Sequence, residues 1–233
     1  MVDKRSNIDH FLLLEPVCVL CGDAGDGGLD LCRDCLRDLP WLDSACQRCA
    51  IPLPGGAHFC GACQSSPPAF SRCLAPFAYG APLDRLLQDL KFSGRLALAR
   101  SLGLLMAGWL AQRALPLPDR LIPVPLHSAR LRERGFNQSL ELARPIARRL
   151  GVPLAARASR RRRNTPPQAE LSARLRRGNL KGAFEAVGAM RGHVAIIDDV
   201  MTTGSTAQEL ARTLLKAGAT RVDVWVCARA GRG

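Results

Sequence analysis

Four Cys-x-x-Cys pairs lie before residue 64, and ten residues separate each pair from the next. Two sulfurs at this spacing lie on one tight turn, and two such turns together supply the tetrahedral thiolate set that zinc prefers. We therefore expect two closed four-cysteine sites that provide folding free energy to a module too small for a large core. The predicted metal ligands are Cys18, Cys21, Cys32, Cys35, Cys46, Cys49, Cys60 and Cys63.

The spacing leaves the pairing of these turns open. Neighbouring pairs can share one zinc ion, or the pairs can interleave. An iron–sulfur cluster and redox dithiols are the other uses of such pairs, but four pairs at a fixed interval favour two structural zinc sites. His58 is expected to be a solvated neighbour of the sites, and Cys73 and Cys227 are expected to be plain buried thiols.

A cluster of turn-forming residues, Ser65 to Pro68, follows the last cysteine pair and predicts a boundary between two domains. We expect a cysteine-rich double zinc ribbon in residues 1–68 and a second domain in residues 69–233. The second domain has strand patterns at residues 75–79, 121–126, 193–197 and 222–227. Helix patterns occupy residues 82–91, 95–113, 138–150 and 206–217, and Pro145 predicts a kink or early break in the third.

Strands that alternate with helices of this length indicate an α/β fold, with a mainly parallel sheet flanked by helices. Ligands of such sheets bind beyond the carboxyl ends of the strands. Two stretches fall at that edge, residues 127–137 and 198–206. Residues 155–179 are rich in Arg and Pro without clear periodicity, and we expect a long mobile loop or lid there.

An apolar strand, two adjacent carboxylates and a hydroxyl-rich turn that opens a helix follow one another up to residue 206. The N-terminus of a helix offers unpaired backbone N–H groups to a phosphate, and Gly204 lets the phosphate approach closely. Asp198 and Asp199 are placed to accept hydrogen bonds from the 2′- and 3′-hydroxyls of a ribose whose 5′-phosphate occupies the turn. The alternative, an ordinary helix cap beside a solvated acidic pair, explains less of the pattern. The other residues of this candidate site form the phosphate loop: Val200, Met201, Thr202, Thr203, Gly204, Ser205 and Thr206.

Residues 194–206 resemble the fingerprint of the phosphoribosyltransferase family, in which Asp-Asp-x-x-Thr-Thr-Gly-x-Thr follows an apolar run. The resemblance implies a type I phosphoribosyltransferase-like fold that binds 5-phosphoribosyl-1-pyrophosphate (PRPP), with Mg²⁺ bridging the pyrophosphate and the ribose hydroxyls. In the transfer that it implies, Asp198 and Asp199 are the catalytic candidates, because they stabilise the electron-poor ribose.

A narrower resemblance, to the ComF/GntX family, covers nearly the whole chain. It rests on the cysteine pairs, on Leu90-Lys-Phe, and on residues 122–127, 130–138, 164–168 and 179–184. This resemblance implies a link with DNA uptake and natural competence, with single-stranded DNA and DNA-uptake proteins as partners. It leaves the acceptor of the phosphoribosyl group unspecified.

Several arginines lie near the expected site. Arg130, Arg132 and Arg134 suit a pyrophosphate, because a guanidinium pairs with two phosphate oxygens, although they equally fit a solvated face. Resemblance to the wider fold places Arg134 and Gly135 in a pyrophosphate loop. Thr165 and Gln168 belong to the expected lid, where Pro166-Pro167 is otherwise a rigid turn. Lys91 and Phe92 are candidates to reach the same site from a helix end, although a lysine there is otherwise only a partner of the helix dipole.

The net charge of +13 is concentrated in the second domain. Residues 120–181 contain sixteen basic and three acidic residues, whereas residues 1–63 contain five basic and nine acidic ones. A polyanion is therefore expected to bind the second domain. The candidate contacts form an arginine run, which fits either nucleic acid or pyrophosphate: Arg160, Arg161, Arg162 and Arg163.

Neither a membrane span nor an export signal is recognisable. The longest apolar stretch, residues 96–117, is interrupted by Arg100 and Arg113, and the apolar run near the start is too short for a signal peptide. We therefore expect a cytoplasmic protein with reduced cysteines. Two hypotheses remain for its function: a phosphoribosyltransferase, or a non-catalytic module that senses the same ligand or binds single-stranded DNA.

Overall fold

A computed structural model describes residues 16–55, 57–163 and 180–231 of the chain. The chain divides into two compact units, Met1–Leu39 and Pro40–Gly233. The first cysteine set lies in the first unit. The second set lies in the same compact unit as the sheet, because the division falls between Leu39 and Pro40.

The first unit is organised around its cysteines. The amide of Gly22 donates to the carbonyl of Cys18 (2.9 Å), which closes the first turn. Helix α1, Arg33–Arg37, begins after Cys32, whose sulfur accepts from the amide of Cys35 (3.5 Å). Leu31, which lies between the two cysteine turns in the sequence, is fully buried. The unit therefore has a small apolar centre in addition to its four thiols.

The second unit is built on a parallel sheet. Its strands are β1 (Arg72–Leu74), β2 (Phe77–Ala78), β3 (Arg120–Pro123), β6 (His193–Met201) and β7 (Arg221–Arg229). The strand order is β1-β7-β6-β3, and β2 continues alongside β7 beyond β1. A separate antiparallel hairpin joins β4 (Ser159–Arg161) to β5 (Phe184–Ala186). Strand β6 is central, since it pairs with both β3 and β7.

The helices of this unit are α2 (Gly61–Ser65), α3 (Leu83–Phe92), α4 (Leu96–Ala111), α5 (Ser128–Arg134), α6 (Gln138–Leu150) and α7 (Ser205–Lys216). One core cluster joins Ile196 and Val224 of the sheet to Leu210 of α7, and it includes Cys46 and Ile51 of the second cysteine set. Helix α6 packs on β3 and β6, and α4 packs on α6. Because alternate strand residues face opposite sides, the sheet can pack against α7 on one side and against α6 and α4 on the other.

The predicted α/β class with a mainly parallel sheet is confirmed, and several element limits need correction. Helix α6 has the predicted limits and continues through Pro145, so the early break was wrong; Gly103 of α4 packs against the proline ring. Strand β6 extends four residues beyond the expected end. Residues 128–134 form α5, which was not expected, and β4 lies in the segment where a loop was expected.

None of the helices in the described part of the chain is long and apolar enough to cross a membrane. Cys73 and Cys227 are buried as expected, and burial raises the pKa of both thiols. His58 lies on the surface and shares a hydrogen bond with the side-chain amide of Gln47 (3.0 Å).

Candidate functional site

Asp198 and Asp199 lie near the end of the central strand, β6, and are part of the strand. Hydrogen-bonded pairing with β7 continues through Asp198, Val200 and Met201. Adjacent residues of a strand point to opposite faces, and Asp198 and Asp199 accordingly contact different neighbours. Asp198 Oδ1 accepts from the hydroxyl of Ser139 (2.8 Å) and from the amide of Asp199 (3.0 Å).

Ser139 reaches Asp198 because of the way α6 begins. The side-chain oxygen of Asn137 caps the helix by accepting from the amide of Ser139 (3.1 Å), and its amide group donates to the carbonyl of Val124 beyond β3 (3.0 Å). These two bonds fix the helix N-terminus against the sheet edge. Ser139 is fully buried as a result, with its hydroxyl directed at the carboxylate.

Asp199 forms an ion pair with Lys91, which lies in the last turn of α3. Asp199 is 4% exposed, so its carboxylate is nearly removed from water. Burial by itself would lower the pKa of Lys91, but the Asp199 carboxylate, with smaller contributions from Asp198 and Tyr79, outweighs burial and raises that pKa. The pair therefore brings a firmly protonated ammonium group to the floor of the site.

Asp198 has a different electrostatic environment from its neighbour. Burial, together with the adjacent Asp199 carboxylate, raises the pKa of Asp198 to about 8, although the hydroxyl of Ser139 acts in the opposite direction. At neutral pH Asp198 is therefore largely protonated. A carboxyl group whose pKa is raised in this way is common at functional sites.

The phosphate loop joins β6 to α7. Gly204 has a φ of 78°, in the left-handed region that side chains disfavour, and α7 begins at the next residue. The hydroxyl of Thr203 accepts from the amide of Ser205 (3.4 Å) and lies 2.9 Å from the hydroxyl of Ser205. Asp198, Thr202 and Thr206 are among the residues that line a cavity of about 40 Å³ inside the loop. The turn thus encloses a small polar space at a helix N-terminus.

Arg134 of α5 approaches the acidic pair from the neighbouring strand end. The guanidinium of Arg134 donates to the side-chain carbonyl of Gln138 (2.8 Å) and lies 5.8 Å from the ring centre of Phe92. Burial lowers the pKa of Arg134, and the Asp199 carboxylate opposes that change. Gly135, with a φ of 81°, ends the helix. Arg130 is half-buried, whereas Arg132 is exposed and does not join the group.

The arginine run is divided by the β4–β5 hairpin. Arg160 and Arg162 both bind Glu185, the latter through two bonds of 2.7 Å. Arg161 instead packs over the ring of Phe184 (5.7 Å). Burial lowers the pKa of Arg161, the charge of Arg130 lowers it too, and Asp198 raises it, so this guanidinium belongs electrostatically to the acidic site. The guanidinium of Arg163 donates to the carbonyl of Lys181 (3.1 Å).

The structure therefore gathers most of the residues expected at the site and separates others. One edge of the sheet carries Asp198, Asp199, the phosphate loop, Arg130 and Arg134. Lys91 lies at the same edge, as its position at a helix end had suggested. Thr165 and Gln168 lie outside the described residues. Ser139 was not expected; its position two residues after a helix-capping Asn was the available signal. The inward direction of Arg161 follows from strand alternation, which no pattern in the sequence revealed.

The cysteine sets are sequential. Within each set the four sulfurs lie within 4.8 Å of one another, which suits one tetrahedral ion and excludes the interleaved arrangement. Cys32 and Cys60 each precede a short helix, so in both sets the second Cys-x-x-Cys turn continues into a helix. All four donors are sulfur in each set, which is the chemistry of a closed zinc site. The sets are Cys18, Cys21, Cys32 and Cys35, then Cys46, Cys49, Cys60 and Cys63.

Comparison with known families matches both parts of the chain. The double zinc ribbon domain matches residues 11–64, and the phosphoribosyl transferase domain matches residues 137–233. Among solved structures, the UMP synthase of Leishmania donovani has a TM-score of 0.35 and 22% identity, over 60% of this chain and 24% of that one.

Curated relatives match over almost their whole length. The DNA utilization protein YhgH of Salmonella typhi is 42% identical over 204 residues, which cover 85% of this chain and 90% of that protein. The YhgH protein of Escherichia coli K12 is 39% identical, over 94% of this chain and 99% of that protein. The competence protein F of Haemophilus influenzae is 34% identical, over 91% and 96% respectively.

Proposed function

The chain belongs to the ComF family, with a double zinc ribbon and a phosphoribosyltransferase domain, and on that premise we propose that it binds PRPP and transfers its phosphoribosyl group. One observation carries the proposal. The central strand ends in an acidic pair, half-buried Asp198 and buried Asp199, beside a helix N-terminus, and three basic side chains approach that pair from three other elements. These basic residues are Lys91, Arg134 and Arg161, and the charge of Arg130 acts on the two arginines.

The phosphate loop is assigned to the 5′-phosphate of PRPP. The first N–H groups of α7 have no acceptor within the helix, and they carry the positive end of its dipole. Thr202 and Thr203 are exposed and can donate through their hydroxyls. A side chain at residue 204 would strain the backbone and crowd the approaching phosphate, since Gly204 has a positive φ.

The acidic pair is assigned to the ribose. The hydroxyls at C2 and C3 donate to carboxylate oxygens, and Ser139 orients Asp198 for this contact. Carboxylate oxygens are also donors that Mg²⁺ accepts, so the pair fits a magnesium ion that enters with the pyrophosphate. When bound, Mg²⁺ would neutralise charge on the leaving pyrophosphate.

The basic side chains are assigned to the pyrophosphate. Arg134 and Arg161 are partly buried, and a guanidinium in a water-poor site binds a phosphate more strongly than an exposed one. In the transfer, the bond from C1 of the ribose to the pyrophosphate oxygen breaks, and the electron pair leaves with pyrophosphate. A nucleophile then donates its own pair to C1. Positive charge that develops on the ribose lies beside the acidic pair, which stabilises it.

The test measures PRPP binding by titration calorimetry with magnesium present, and pyrophosphate release with a panel of bases and amines. Asp199→Asn is expected to weaken PRPP binding by at least about tenfold, because it removes an acceptor and leaves Lys91 unpaired. Asp84→Asn, at a half-exposed position in the first turn of α3, is the matched control and should bind like the parent protein.

Two results separate binding from catalysis. Absence of PRPP uptake by the parent protein would overturn the whole proposal. Tight uptake without pyrophosphate release from any acceptor would favour the second candidate, in which the same pocket senses the ligand without turnover.

The second candidate also includes binding of single-stranded DNA, which the relatives' names and the exposed arginine run favour. Arg160 lies in β4 and Arg162 directly follows it, and both have more than half of their side-chain surface exposed. Replacing Arg160, Arg162 and Arg163 by Ala should weaken DNA binding and reduce its salt dependence, as measured by fluorescence anisotropy. Affinity that does not change with salt would contradict a phosphate-backbone contact.

A further inference from the structure

Arg229, the last residue of β7, is a buried arginine that touches two parts of the second unit. Its Nε donates to the carbonyl of Cys49 in the second cysteine set (2.8 Å). Its Nη1 donates to the carbonyls of Met201 (2.9 Å) and Thr202 (2.5 Å) at the start of the phosphate loop, and also to that of Ala230. One guanidinium therefore spans a cysteine turn and the loop that we assign to the 5′-phosphate.

The charge of Arg229 is unusually placed. Only 4% of the residue is exposed, and every acceptor recorded for it in the described chain is a main-chain carbonyl. A buried charge without a counter-charge is costly. A divalent zinc ion with four thiolate ligands has a net negative charge, and Cys49 is one of the four sulfurs of the second set. The second zinc site is thus positioned to balance the buried guanidinium.

Direct packing between the second set and the loop is incomplete. A cavity of about 360 Å³ lies between them, and its lining includes Cys49, Cys63, Thr203, Ser205 and Arg229. Side chains that do not fill the space cannot hold the loop by contact alone. The hydrogen bonds of Arg229 therefore connect the second cysteine set to the phosphate loop beside this cavity.

We propose that Arg229 is a positioning residue that makes the phosphate loop depend on the second zinc site, a role that rests on the proposed function of the loop. The bonds to Met201 and Thr202 hold the carbonyls of these residues away from the space that the phosphate enters. The bond to Cys49 anchors the guanidinium on a cysteine turn whose geometry zinc fixes. Loss of that zinc ion frees the anchor, and the loop then no longer presents its amides in a fixed direction.

The first experiment compares Arg229→Met and Arg229→Lys with the parent protein. PRPP binding is measured by calorimetry, and zinc by elemental analysis. We expect Arg229→Met to keep two zinc ions and to bind PRPP roughly tenfold to a hundredfold more weakly, because several charge-assisted bonds are lost. Arg229→Lys keeps the charge and a single donor group, and we expect it to recover part of the affinity. Equal affinity in all three proteins would overturn the proposal.

The second experiment measures the coupling itself. Cys63→Ser empties the second site, and Cys35→Ser empties the first site as the matched control. We expect Cys63→Ser to weaken PRPP binding in the parent protein and to have little further effect in the Arg229→Met protein, since the connection is already broken. Additive effects of Cys63→Ser and Arg229→Met, or an equal loss from Cys35→Ser, would contradict the coupling.

Hydrogen exchange of the phosphate loop gives a readout that needs no ligand. Exchange of its amides should accelerate in Cys63→Ser and Arg229→Met but not in Cys35→Ser, while amides in the middle of β6 stay protected. Acceleration throughout β6 and β7 would indicate general unfolding and would contradict a local role. Because exchange reports on the loop even when PRPP does not bind, failure of the proposed function and failure of this coupling can be told apart.

Discussion

The position of Asp198 at the end of β6 affects both its hydrogen bonding and its pKa. Its carboxyl group is half-buried and accepts a hydrogen bond from the hydroxyl of Ser139, and loss of contact with water, together with the adjacent Asp199, raises its pKa to about 8. A protonated carboxyl offers one acceptor fewer to a ribose hydroxyl than a carboxylate does. Ligand binding at this position is therefore expected to favour the ionised form.

Binding of PRPP should release a proton near neutral pH. Below a pH of about 8 the free protein holds a proton on Asp198 that the complex gives up, so affinity rises with pH and levels off above that value. The slope approaches about tenfold per pH unit for one proton. Calorimetry in buffers of different ionisation enthalpy measures the release directly.

Asp198→Asn is the control for this proton. It removes the titrating group but leaves the ionisation of PRPP itself in place. The difference between the two proteins therefore isolates Asp198, and an identical pH dependence in both would refute the assignment.

Lys91 is expected to contribute to stability through its ion pair with Asp199. Lys91→Met leaves a buried carboxylate without its partner, which should lower the free energy of unfolding by about 3 kcal/mol. The double variant Lys91→Met/Asp199→Asn should recover part of that loss, because no unpaired charge remains. Denaturant unfolding measures both. Lys216→Met, at an exposed position, should change stability by less than about 0.5 kcal/mol.

At the scale of elements, the close approach of α4 to α6 explains how a helix with an internal proline stays intact. A Cβ atom at Gly103 would overlap the ring of Pro145 and come within 2.7 Å of the carbonyl oxygen of Leu142. Pro145 removes one helical hydrogen bond. Packing of α4 over this position supports the helix, which continues to Leu150.

Gly103→Ala should destabilise the protein by about 1–3 kcal/mol, since the added methyl group forces the two helices apart. Gly108 lies on the same helix, and a Cβ atom there would have no neighbour within 4 Å. Gly108→Ala should therefore stabilise by roughly 0.5–1 kcal/mol through the higher helix propensity of Ala. Thermal unfolding of the two variants gives the comparison, and equal shifts in the same direction would contradict the packing argument.

Element limits also show what local patterns miss. Asp198 and Asp199 were expected just after a strand, but pairing of β6 with β7 carries the strand to Met201. Helix α5 is seven residues long, and so short a helix has too few apolar positions for a clear period. Helix α6 was predicted with its observed limits, with Gly151 as its closing signal, and the structure shows that Asn137 caps its other end.

At the scale of the whole molecule, the two cysteine sets belong to different compact units. Metal analysis should find about two zinc ions per chain. Cys35→Ser and Cys63→Ser should each leave one, because the sulfurs of a set are within reach of one ion only. One zinc ion in both variants agrees with sequential sites, whereas loss of both ions from either variant would contradict independent sites.

The sequence by itself determined the two four-cysteine sets as candidate zinc ligands, the α/β class and the position of the turn that opens α7. Each of these depends on local spacing: a ligand pair on one turn, the period of a strand or helix, and a turn that opens a helix. Only the tertiary structure decided which cysteine pairs join and which basic side chains meet the acidic pair. It also revealed the bond from Arg229 to the carbonyl of Cys49, 180 residues away in the chain. The physical reason is that contacts between distant residues depend on how strands align and helices pack, and local sequence patterns do not encode that alignment.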